Sequence, residues 1–169
     1  MDLSTKTDKQ IEVWIRNHEA EAGATTRPLY QQLLEERARR AQAKQRLNLE
    51  TSLQVLKQAA EGQVCVAYGE LAKAGGVDWS QARHQMNGPG GHLDLLLDLC
   101  HARGLPLLPA LCVNQEGVAS GELGEAALAG FVSGARRLGL SVTDSRSFHH
   151  ECRDQCWDWG RHQAERVGT

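Results

Sequence analysis

The sequence predicts an α+β protein that is mostly α, a winged helix-turn-helix with helical extensions at both ends. Three observations predict it. Apolar residues recur at helical spacing through most of the 169 residues. Two short helical segments, 69–74 and 79–86, flank the turn Gly75-Gly76-Val77-Asp78. An apolar strand, 64–67, precedes them, and a second apolar run, 107–113, follows and leads into the turn Asn114-Gln115-Glu116-Gly117. The chain divides accordingly into a helical N-terminal extension (1–47), a winged-helix domain (48–139) and a helical C-terminal tail packed on it (140–169).

The elements follow in order. Asp8 caps a helix to about Glu21, with Ile11, Trp14 and Ile15 on one face. Gly23-Ala24-Thr25-Thr26 breaks it, and Pro28 opens a second helix, 28–47, at a position where its missing N–H costs nothing. That helix has few apolar residues (Leu29, Leu33, Leu34) and then a basic run: Arg37, Arg39, Arg40, Lys44 and Arg46. Such a run is either a phosphate-contacting arm or a solvated helix face. Asn48 or Thr51 caps the next helix, carrying Leu49, Leu53, Leu56 and Ala60 and ending near Gly62. After the helix-turn-helix, Asn87-Gly88-Pro89-Gly90-Gly91 is a break, and 92–103 is a Leu-rich helix stopped by Gly104. The run 107–113 reads as a buried strand that returns at 118–120 through a hairpin. A helix over 123–138 and a helical tail over 143–167, capped by Asp144 or Ser145, close the chain.

Composition limits the function. Hydrophobic residues make up 41% of the chain and mean hydropathy is −0.45, the range of soluble globular proteins. No apolar run approaches a membrane span, and no secretory leader follows Met1. The five Cys (65, 100, 112, 152 and 156) form no secreted disulfide framework, so a cytoplasmic location with reduced thiols is expected. Net charge is −2, so a nucleic-acid binder would have to gather its basic residues on one face.

Tyr68-Gly69-Glu70-Leu71-Ala72 resembles the helix start of the DNA-binding domain of O6-alkylguanine-DNA alkyltransferases and their inert alkyltransferase-like relatives. Gln81-Ala82-Arg83-His84-Gln85-Met86 loosely echoes the recognition helix of that family, and the order of elements over 49–138 is similar. The resemblance implies a DNA-binding winged helix in which Arg83 enters the duplex at a flipped base. The acceptor motif of that family, Pro-Cys-His-Arg, is absent: its position falls near Pro109, and Cys100-His101 lies on the preceding helix. Alkyl transfer is therefore not implied. Residues 104–114 also resemble small bacterial proteins of phages and mobile elements.

The candidate contacts to nucleic acid are Tyr68, Ser80, Gln81, Arg83, His84, Gln85 and Asn87, with Arg37, Arg40 and Lys44 from the basic run. Side chains of these types reach base edges or phosphates from a helix lying in a groove. Glu116 and Glu122, at the expected wing, would repel phosphate. In the tail, His149, Cys152 and Cys156 have spacing for zinc on one helix face, but without a Cys-x-x-Cys knuckle they read as packing, and no metal or cofactor is expected. No Gly-x-Ser-x-Gly, P-loop or Gly-x-Gly-x-x-Gly pattern is present, and no catalytic residue is assigned. The expected function is non-enzymatic DNA binding. The alternatives are a protein-interaction adaptor, of the kind encoded by mobile elements, that binds a partner or itself through helix 28–47, and a thiol enzyme with one reactive Cys.

Overall fold

The computed structural model describes residues 1–167. The chain is α-rich, with eight α-helices and one two-stranded sheet among the described residues. Helix α1 (Asp8–Ala20) is capped by Thr7 rather than Asp8. Thr7 and Gln10 form a reciprocal pair, the Thr7 hydroxyl accepting from the Gln10 N–H at 3.1 Å and the Gln10 side chain accepting from the Thr7 N–H at 2.9 Å. Asp8 is left to pair with Arg40. Ile11 and Ile15 are buried, as their spacing predicts.

Helix α2 (Pro28–Gln42) is shorter than the expected 28–47. The Gln42 side chain stops it. Its amide donates to Leu47 O at 2.9 Å and accepts from Leu49 N–H at 2.6 Å, replacing backbone pairing across the loop. Leu47 is thereby drawn into the core. Helix α3 (Leu49–Glu61) follows, capped by Asn48, whose side chain accepts from Thr51 N–H at 2.9 Å.

The β structure is smaller than expected. Strand β1 is only Val66–Ala67 and β2 only Cys112–Val113, and they pair in parallel, Val66 opposite Cys112 and Ala67 opposite Val113. The run 107–113 does not extend as one strand because Pro109 has no N–H for a ladder, and Leu108–Leu111 winds into a 3-10 turn. No strand returns at 118–120, so the expected hairpin is absent. The chain turns twice instead, Gly117 N–H donating to Asn114 O (2.8 Å) and Gly121 N–H to Gly117 O (2.7 Å). Gly117 packs against Glu122 O so closely that a Cβ there would collide with it.

The remaining helices are α4 (Tyr68–Ala74), α5 (Trp79–Met86), α6 (His92–Ala102), α7 (Glu125–Arg137) and α8 (Ser145–Val167). Helix α6 is the centre of the fold, with Leu95, Leu96, Leu97, Leu99 and Cys100 all buried. Helix α2 lies along it and α8 lies along α3. Tyr30, Leu33 and Leu34 of α2, Leu56 of α3 and Cys156 of α8 belong to one continuous core. The first 47 residues and the tail therefore share their packing with the segment between them. Asp98 of α6, 1% exposed, receives Arg37 of α2 at 2.6 Å and Arg137 of α7 at 2.5 Å, joining three helices. Among the described residues, no helix is long and apolar enough to cross a membrane.

Candidate nucleic-acid interface

The turn between α4 and α5 is built as its glycines require. Gly76 has φ of +70°, a conformation side chains resist, and lets the chain reverse after α4. Val77 N–H then donates to Ala72 O at 3.0 Å. Leu71, Ala72, Val77, Ala82 and Met86 face inward and fix α5 against the core. Their complement on α5 faces solvent: Trp79, Ser80, Gln81, Arg83 and His84 are exposed, followed by Asn87. Gln85 is half-buried, and its side-chain oxygen has no partner.

Five of the expected contacts, Ser80, Gln81, Arg83, His84 and Asn87, thus lie on the exposed side of α5 and its end. Arg46, from the loop after α2, joins them by donating to the Gln81 side chain at 2.6 Å. Among the described residues, Lys73 of α4 and Arg83 of α5 have no hydrogen-bonding or ionic partner, and Arg46 has no carboxylate partner. Two carboxylates lie near this surface. Glu70 sits in the first turn of α4, and Asp78 precedes α5.

The other expected contacts are placed differently. Arg37 is turned inward onto Asp98 and Glu12. Arg40 is clamped by Glu36 and Asp8, each at 2.7 Å, and by the carbonyls of Leu3 and Lys6. Arg39 also binds Glu36, and these two guanidiniums hold the Glu36 carboxyl down at a pKa of about 2. Lys44 remains exposed, 3.5 Å from Asp8. The basic run is therefore mostly consumed by carboxylates of its own chain, which the sequence hides because Asp8, Glu12 and Asp98 are distant in it. Tyr30, Leu33, Leu34 and Ala38 of α2 are buried within the chain.

Tyr68 is buried rather than presented to a ligand from outside. It lines a cavity of about 480 Å³ beneath the loop between α5 and α6, whose wall also includes Pro89, Cys112, Asn114, Phe131 and Arg137. This cavity was not anticipated. Its signal in the sequence is the series of small residues Ala126, Ala127, Gly130, Ser133 and Gly134 on α7, which leaves space that larger residues would fill.

All five cysteines are buried and free. Burial pushes the Cys100 and Cys152 thiols up to about 12 and raises those of Cys65, Cys112 and Cys156 as well. Cys156 donates to Leu107 O. His149 of the same helix donates to Ala110 O at 2.9 Å through Nε2 and lies with His150 and Glu122 rather than with a Cys pair. Glu122 is paired with Arg146 and His150, and the His150 hydrogen bond is the chief cause of its lowered pKa.

No family model, curated protein or solved structure matches the chain.

Proposed function

We propose that the chain is a DNA-binding protein that docks the exposed face of α5 against the duplex, with Arg83 at its centre. The carrying observation is the distribution of cations. Among the described residues, ten lysines and arginines are engaged in ion pairs; of those without one, Lys6, Lys9, Arg16, Lys57 and Arg136 lie on other elements, while Arg83 is on α5, Arg46 binds Gln81 of α5 and Lys73 ends the preceding helix α4. Cations free of internal partners are those that can exchange condensed counterions for phosphate contacts. Ser80, Gln81, His84 and Asn87 supply donors and acceptors beside them, able to hydrogen-bond base edges or sugar-phosphate.

With no hairpin after β2, the reading rests on the helix-turn-helix alone, and the modest charge of its face implies modest affinity. The test is a polarisation titration of labelled duplex DNA at several salt concentrations. Arg83→Ala and Lys73→Ala should each weaken binding, whereas Lys9→Ala, on the exposed surface of α1, should leave it unchanged. Equal binding by all the variants, or none by the wild type at low salt, would refute the proposal.

A further inference from the structure

Glu122 and the adjacent pair His149 and His150 are brought together by the turn after β2 and the first turns of α8. One carboxylate oxygen and one nitrogen from each ring lie within 4.8 Å of one another. His149 is fully buried, and its Nε2–H is committed to Ala110 O at 2.9 Å. In the neutral ring this places the lone pair on Nδ1, which has no hydrogen-bond partner although it is buried. A buried imidazole nitrogen normally finds a partner. A backbone carbonyl that fixes the tautomer, leaving the other nitrogen as a bare donor of electrons, is the usual support of a metal-ligating histidine.

We propose that Glu122, His149 and His150 form a binding site for one zinc-type divalent ion. Two imidazoles and one carboxylate make a borderline ligand set that suits Zn²⁺ over Mg²⁺ or Ca²⁺, with a fourth position left for water. The ion takes the place now held by the proton between His150 Nε2 and Glu122 Oε1, which are 2.6 Å apart. Two guanidiniums border the carboxylate, Arg146 at 3.1 Å and Arg153 at 3.8 Å. Each has an anchor of its own: Arg146 donates to Leu123 O at 2.6 Å and Arg153 to Gly121 O at 2.9 Å. They can stay in place while Glu122 turns an oxygen to the ion. Their repulsion of a dication holds the affinity below that of a closed structural zinc site. Cys152 and Cys156 stand outside the ligand set.

The test is a titration of the full chain with Zn²⁺ against a chromophoric chelator, with the thiols kept reduced, and a parallel titration with Co²⁺. The expected result is one equivalent of Zn²⁺, bound at least tenfold more weakly by Glu122→Gln and by His150→Gln and unchanged in His162→Gln, where an exposed histidine is removed. Co²⁺ should give weak visible absorption without a thiolate charge-transfer band. Absence of binding, binding unaffected by His150→Gln, or a thiolate band would each overturn the proposal. Circular dichroism of both substituted proteins establishes that they are folded, since Glu122 and His150 are only partly buried.

Discussion

Gly160 is where α8 meets α3 most closely, and replacing it tests how the tail is held. A Cβ built at Gly160 would overlap Ala60 O and its carbonyl carbon and would stand 2.6 Å from Glu61 N, closer than real Cβ atoms come to a neighbouring atom. All three atoms are backbone, so no side chain can swing aside. Gly160→Ala must push the helices apart, at an overpacking cost of about 1–3 kcal/mol or more. The helix-propensity gain of about 1 kcal/mol offsets only part of it. Gly130, inside α7, has nothing within 4 Å of the same added carbon. Gly130→Ala should therefore gain about 0.5–1 kcal/mol. The same substitution thus has opposite signs at two helical positions. In thermal and urea unfolding followed by circular dichroism, a net loss of about 2 kcal/mol at Gly160 lowers Tm by roughly 4–8 °C. A Gly160→Ala protein as stable as the wild type would refute the close docking of α8 on α3.

Two further predictions concern buried polar groups. His92 is fully buried beside Ser52, and burial lowers its pKa to about 4, so the unfolded chain takes up a proton near pH 6.5 that the folded chain refuses. Its contribution is complete above about pH 6.5 and is lost as the pH falls towards 4, by about 3 kcal/mol at full extent; urea titrations across that range should show the loss, and His92→Gln should flatten that limb. Asp98→Asn removes the charge that Arg37 and Arg137 share in the interior and should cost about 3–5 kcal/mol, measured by the urea midpoint; a change under about 1 kcal/mol would show that the two guanidiniums reach water without it.

The helices were legible in the sequence because local signals mark them. Asn48 and Asp144 cap where their side chains predict, and Ile11, Ile15, Leu53 and Leu56 are buried where helical spacing places them. Contacts between distant residues were not legible. Nothing near Gln42 shows that its amide will close a loop onto Leu47 and Leu49. An apolar run such as Leu107–Leu108–Pro109–Ala110 suits a strand by hydropathy, yet the missing N–H of Pro109 favours a 3-10 turn. The basic run on α2 read as available charge because, beyond Glu36 on the same helix, its carboxylate partners Asp8, Glu12 and Asp98 lie 25 to 61 residues away. The polar face of α5 was readable because Ala82 and Met86 define the buried side. The cavity under Pro89 was not, since a void is registered only by residues too small to fill it.

The central claim is that α5 contacts DNA through cations left unpaired by the fold. The most direct measurement is the salt dependence of duplex binding by fluorescence polarisation, wild type against Arg83→Ala. Contacts from Arg46, Lys73 and Arg83 predict that log K falls against log salt with a slope of about −2 to −3. Removing Arg83 should weaken binding and bring that slope about one unit closer to zero. No detectable binding at low salt, or an unchanged slope and affinity without Arg83, would contradict the account.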